Sequence, residues 1–296
     1  MSPGRFRYRL GWMPDYPDFR DFSEQHEQVE PFLARLQRGP AEAGSLPAQV
    51  DLRPWCSPVE YQGELNSCTA HAGVGLVEYY EQRAFNRYLD ASRLFLYKAT
   101  RNLLHQTGDN GAYLRTTMAA LVLFGVPPEE YWPYTDDPAK FDQEPPAFCY
   151  AFAQNYQALK YLRLDGQGTA PEEVLKRIKS YLAAGLPAIF GFSVYRSLDE
   201  VGADGKVPFP APQERLEGGH AVMAAGYDDT LVIAHPKGGP RTQGAILIRN
   251  SWGRDWGEGG YGWLPYDYVL RGLAEDWWTL LKQEWVDTGK FGLPET

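Results

Sequence analysis

The chain has 296 residues, 44% of them apolar and 23% charged, and a formal net charge of −9 at pH 7. That length suits one large domain or two ordinary ones, with material for a substantial core. The acidic balance argues against a general affinity for nucleic acid or anionic lipid, and no segment reaches the roughly 20 continuous apolar residues of a membrane helix.

The N-terminal stretch carries Arg5, Arg7 and Arg9 and lacks the apolar run of a secretory signal. A cytoplasmic location is expected from this. Three cysteines, Cys56, Cys68 and Cys149, form an odd and unpaired set, which suits a reducing compartment. There is no CxxC and no close Cys/His group, so a metal site is not expected, and the chemistry read below calls for no organic cofactor.

Residues 1–49 are read as an N-terminal extension or short propeptide, and 50–296 as the main domain. "GWMPDYPDFRDF" is extended around Pro14 and Pro17. It has enough aromatics to pack as a strap on the body, and it can also cover a cleft. "VEPFLARLQRG" predicts a short helix ending at Gly39, and "GPAEAGSLPAQ" a linker.

From Ser67 to about Tyr88, apolar residues recur at helical steps, with Asn66 or Ser67 able to cap the start. Further helices are predicted over "ASRLFLYKATRNLLHQ", "LRTTMAALVLFG" and "APEEVLKRIKSYLAAG". After Gly185 the period changes to strands: "PAIFGFSVY", "GHAVMAAGYDD", "TLVIAH", "GAILIRNSWG", "GGYGWLPYDYV" and "WWTLLKQEWV". The expected class is α+β, with a helical lobe over about 50–150, a β-rich lobe over about 151–296, and a groove between them.

Cys68 falls in the opening turn of its helix, where the dipole favours a thiolate. Nucleophilic use also needs a neighbouring imidazole. His220, in "EGGHAV", is preceded by Gly218 and Gly219, which permit close approach of backbone or substrate. Asn250 closes an apolar strand and can orient the ring, and Trp252 can cover that bond from water. Gln62 and the Cys68 N–H can stabilise an oxyanion. Against these stand blander readings. Cys56 and Cys149 are core sulfurs, and His71 faces the packing side of its helix. His26, His105 and His235 lack partners and default to surface or loop, and Asp228-Asp229 form a turn.

The ordered set "QGELNSC", "GGHAV…GYDD" and "LIRNSWGRDWGEGGYGW" resembles the papain family of cysteine peptidases (peptidase C1), in a short form without the long inhibitory propeptide. The similarity runs from about Val50 to Val269, and "TGDNGAYLRTTMAALVLFGVPPEEYWPY" resembles the segment lining the family's cleft. The resemblance implies a two-lobe fold, the β lobe being antiparallel and barrel-like. It makes Cys68 the nucleophile, His220 the base and acid, Asn250 the orienter and Gln62 the oxyanion donor. Asn110, Gly111, Ala112 and Gly219 would bind the backbone of a peptide or protein substrate.

Departures from the pattern are specific. Leu65 and Asp109 stand where many members have a disulfide, Thr69 replaces an aromatic, and Ala112 replaces a glycine. The expected reaction is peptide hydrolysis through a thioester. The alternatives are a transpeptidase or ligase using the same thioester, and a silent peptide-binding protein. The N-terminal segment is read first as a fixed strap, with self-substrate or self-inhibitor as the alternatives.

Overall fold

The computed structural model describes residues 6–36, 39–40, 45–154 and 160–293, so the predicted linker over 39–49 lies partly outside the described residues. In chain order the elements are β1 (Trp12–Met13), α1 (Glu30–Leu33), β2 (Gln49–Asp51), α2 (Cys68–Phe85), α3 (Arg93–Leu103), β3 (Ala112–Tyr113), α4 (Leu114–Leu123) and α5 (Ala147–Ala153). There follow β4 (Lys160–Arg163), α6 (Pro171–Ala183), β5 (Ala188–Tyr195), β6 (Leu216–Ala234), β7 (Arg241–Arg249), β8 (Tyr261–Pro265), α7 (Asp267–Leu270), β9 (Ala274–Leu281) and α8 (Gln283–Val286). One sheet runs β4-β9-β5-β6-β7-β8, with β2 joined to β6, and its pairings are antiparallel. A separate two-stranded sheet pairs β1 in parallel with β3.

α2 is the central helix. Its apolar residues are buried on nearly every side, as expected for a helix enclosed by protein. Small residues allow the enclosure: a Cβ at Gly73 would come within 3.2 Å of both Leu96 and Thr117. The helix ends at Asn86 in the left-handed conformation, a cap Asn tolerates. Its start differs from expectation, because neither candidate side chain caps it. Ser67 Oγ instead pairs with the Tyr134 hydroxyl at 2.7 Å, and the Asn66 amide donates to Asp109 O at 3.0 Å.

The buried residues of the helices and of the main sheet form one continuous core, with Leu65, Leu94 and Phe141 as a small satellite. Elements absent from the sequence reading owe their form to this packing. "WWTLLKQEWV" is read as one strand, yet it breaks after Leu281 into α8, whose Trp285 stacks on Tyr80 of α2 at 4.8 Å. β2 and β4 are short and find their partners only in β6 and β9. "TLVIAH" is a continuation of β6 rather than a separate strand. His235, expected at the surface without a partner, is buried, with its Nε2 3.4 Å from Glu214.

A buried charge network ties the sheet to the helices. Arg249, the last residue of β7, donates to Ser57 Oγ at 3.0 Å and to Pro58 O at 2.7 Å. Ser57 donates to Glu78 of α2 at 2.5 Å, and Glu78 pairs with Arg93 of α3 at 3.0 Å. Two cations thus flank one buried carboxylate and oppose the burial that still raises its pKa. The guanidinium crosses α2 at Gly75, where a Cβ would lie 2.1 Å from Arg249 Nη1. Gly75→Ala should gain about 1 kcal/mol of helix propensity and lose more through displaced charge-assisted bonds, roughly 1.5–3 kcal/mol each. A lower urea midpoint is the expected outcome, and an unchanged one would show that the guanidinium re-seats freely.

Candidate active site

Cys68 opens α2, and its side chain is fully buried. The Ala221 N–H of β6 donates to its Sγ at 3.4 Å, which brings the sulfur to within one residue of His220. His220 is paired across the sheet with Phe192 of β5. Its Nε2 lies 2.8 Å from Asn250 Oδ1. That oxygen also accepts the Ser251 N–H at 2.8 Å, so the amide presents its oxygen and the ring must carry its proton on Nε2. Nδ1 is left with its lone pair, buried and without a hydrogen-bond partner among the described residues. Trp252 stacks on the ring at 4.3 Å, the cover expected for the His–Asn bond.

Gln62 is also fully buried. Ser251 Oγ donates to its Oε1 at 2.6 Å, and its own Nε2 donates to Leu65 O at 2.7 Å and Arg9 O at 3.4 Å. Ser251 thereby fixes which way the amide faces, a role not apparent from "RNSWG" alone. His71 lies on the packing side of α2 as expected: its Nδ1 sits 3.1 Å from Ser67 O, and its ring meets Tyr134 edge-on at 5.0 Å. Burial pushes it down to about 3, so it is neutral.

Asp109 forms a clasp. Its carboxylate accepts the Asn66 N–H at 2.9 Å and the Tyr97 hydroxyl at 2.7 Å. Charge-assisted bonds here hold the loop before Cys68 to the loop before β3.

Residues 6–13 lie across these groups. Tyr8 stacks on Trp252 at 4.2 Å with ring planes 5° apart, and Phe6 meets the same indole edge-on. Arg9 O faces the Gln62 amide, and the Gly11 backbone N–H is among the groups that favour the Cys68 thiolate. Ala112 N donates to Gly11 O at 2.8 Å. The Trp12 side chain lies against Gly191 and Gly219. Asp15, Tyr16 and Asp21 are held by Arg115, which bonds the Asp21 carboxylate at 2.8 Å and Tyr16 O at 2.7 Å and also pairs with Asp15.

Of the expected backbone-binding residues, Ala112 and Gly219 touch this segment, and so does Gly111, where a Cβ would lie 2.2 Å from Gly11 O. Asn110 does not: its amide turns back to Thr107 O at 2.7 Å. Among the described residues, no cluster of three His, Cys, Asp or Glu side chains is arranged to hold a metal.

The covering changes the electrostatics expected at the site. Instead of a lowered thiol beside an imidazolium, burial pushes the Cys68 thiol up to about 11, against the pull of the N–H groups of Ala221, Gly11, Thr69 and Cys68 itself. Burial lowers His220 to about 4, opposed by its bond to Asn250. Both groups are neutral while water is excluded.

A model of the papain family cysteine proteases matches residues 46–274. The chain belongs to the papain family. It is a cysteine peptidase with the papain fold. It is 34% identical to xylellain, a cysteine protease from Xylella fastidiosa, with a TM-score of 0.74 over 95% of this chain and 98% of that one. An uncharacterised peptidase C1-like protein of Acanthamoeba polyphaga mimivirus is 35% identical, across 74% of this chain and 68% of that protein. A cathepsin B-like protein of Giardia intestinalis is 29% identical, across 77% of this chain and 72% of its own.

The geometry at Gly11 supplies a direct test. A Cβ there would lie 1.9 Å from Asn66 O, a backbone atom that cannot yield. Gly11→Ala should therefore lift the segment and raise the rate of Cys68 alkylation by iodoacetamide at least about tenfold. Peptide mapping should show Cys149, in the core, still protected. Equal Cys68 rates in the two chains would mean the segment does not govern access.

Proposed function

We propose that this peptidase acts through a Cys68 thioester and that residues 6–13 hold it latent. The observation that carries the reading is the pairing of a proton-bearing Nε2, fixed on Asn250 at 2.8 Å, with a lone-pair Nδ1 on the same ring, beside a sulfur held at Ala221 N. Once uncovered, His220 Nδ1 takes the Cys68 proton, and the sulfur attacks the peptide carbonyl. Negative charge develops on the carbonyl oxygen, and the Gln62 amide hydrogen now given to Arg9 O becomes free to donate to it. The imidazolium then protonates the leaving amine, which departs and leaves a thioester. His220 next deprotonates water, which attacks the thioester, and the proton returns to sulfur as the acid leaves. Asn250 acts on the ring alone, by fixing its tautomer and plane.

The substrate is a peptide or protein chain laid along Ala112, where Gly11 now forms the backbone bond. Because β1 already fills this edge and Tyr8 covers Trp252, substrate and segment exclude one another. Peptide hydrolysis by the Gly11→Ala chain should fall by more than about a thousandfold when Cys68→Ala is added, as for loss of a covalent nucleophile. Unchanged products would remove Cys68 from the reaction.

Covering and protonation are linked. His220 lies at about 4 beneath the segment, below its ordinary 6.5, and its ring contacts, Asn250, Phe192 and Trp252, are uncharged. Protonation thus favours the uncovered form. The cover is fully stabilised above about pH 6.5 and weakens as pH falls toward 4. In a Cys68→Ala background, the His220 ring resonance should titrate well below 6.5 in the otherwise native chain and move back toward it with Gly11→Ala. The same midpoint in both would contradict the linkage.

A further inference from the structure

Behind Cys68, the side chains of His71, Ser67 and Tyr134 form a chain of hydrogen bonds whose directions are all fixed. The Tyr134 hydroxyl donates its one proton to Gln62 O at 2.8 Å. Its 2.7 Å contact with Ser67 Oγ therefore uses the serine proton. Ser67 has none left for His71 Nδ1, which lies 3.3 Å from that Oγ and 3.1 Å from Ser67 O. A carbonyl oxygen only accepts, so Nδ1 carries the ring proton and Nε2 the lone pair. That Nε2 is buried and has no hydrogen-bond partner among the described residues. An apolar ring of similar size would meet Tyr134 in the same way without leaving a buried acceptor unmatched.

We propose that His71 is a positioning residue for the oxyanion, acting through the Ser67–Cys68 peptide, and that Tyr134 ties Gln62 to the same frame. The inference rests on the peptidase reading and adds to it a support for the transition state. Ser67 C=O and Cys68 N–H are the two ends of one planar amide. Donors on that oxygen polarise the amide and make the N–H at its other end a stronger donor. Three donors converge on Ser67 O: the N–H groups of Ala70 and His71, both at 3.1 Å, and His71 Nδ1–H. The first two belong to the helix start, and the third is supplied by this side chain alone. Tyr134 meanwhile holds Gln62 O, so the residue bearing the other oxyanion donor is fixed from the same side. The Cys68 N–H and the Gln62 amide thus share one support.

The test uses the full-length Gly11→Ala chain with His71→Phe, His71→Asn or Tyr134→Phe added. Phenylalanine keeps the ring and loses the donor, whereas asparagine returns an N–H near the place of Nδ1. On a fluorogenic peptide amide, His71→Phe should lower kcat by about 3- to 10-fold with KM nearly unchanged, a fraction of the cost of removing such a donor outright. Asparagine should recover part of that loss, and Tyr134→Phe should also lower kcat. Alkylation of Cys68 by iodoacetamide forms no oxyanion and should keep its rate in every chain. The urea midpoint of His71→Phe should not fall, whereas a merely structural histidine would lower it. In the otherwise native chain at neutral pH, the nitrogen NMR shifts of His71 should show the proton on Nδ1. An unchanged kcat in His71→Phe, a fall in alkylation rate that matches the fall in kcat, or a ring proton on Nε2 each overturns the inference and leaves the peptidase reading intact. No Cys68-dependent cleavage by the Gly11→Ala chain overturns both.

Discussion

One backbone amide carries the arrangement of this molecule. The N–H of Ala221 meets the sulfur of Cys68, and through that contact the first turn of α2 is held against the strand that bears His220. Cys68 and His220 are separated by about half the chain, so neither end of the contact is determined locally. It is upheld from behind by Arg249. That residue adjoins Asn250 and reaches past Gly75 to Ser57, so the strand end carrying the amide that pairs with His220 is anchored beyond the same helix. A glycine on α2 thus serves the position of an asparagine on the sheet, through an intervening guanidinium rather than by touching it.

The covering segment meets the site through both its backbone and its side chains. It offers a carbonyl to Ala112 and the Trp12 indole to Asp276, and its Tyr8 and Phe6 cover the indole that stacks on His220. Excluding water drives thiol and imidazole to their neutral forms, since neither charge is solvated there. The anchor lies further along, where Arg115 and Arg163 bind Asp15 and Asp21 at the edges of α4 and β4. The aromatic and glycine contacts over the cleft are short-range, whereas the anchor is ionic and partly buried. The two parts of the segment are therefore held by different forces.

The stretch around Cys68 was legible because helix opening, thiol and nearby glutamine occur within a few residues. The strand bearing His220 and the Asn250–Trp252 turn were legible for the same reason, each being a local pattern. Other features were not. Ser251 reads as an ordinary turn serine until it is seen on Gln62 Oε1, and Asp276 reads as a strand charge until Trp12 is seen upon it. Asn110 shares the sequence neighbourhood of Ala112, yet its side chain satisfies itself on Thr107. His235 looked partnerless because Glu214 lies on a separate loop.

What the sequence determined by itself was the run of helices followed by strands, the placing of a thiol at a helix start, and the family to which those ordered motifs belong. Each follows from local periodicity or from short contiguous patterns. Tertiary structure alone decided that the site is covered, that its two titratable groups are neutral beneath that cover, and that a buried carboxylate accepts the Trp12 indole N–H. Those outcomes depend on desolvation and on contacts between residues 264 apart in sequence, and neither is written in any local stretch of chain.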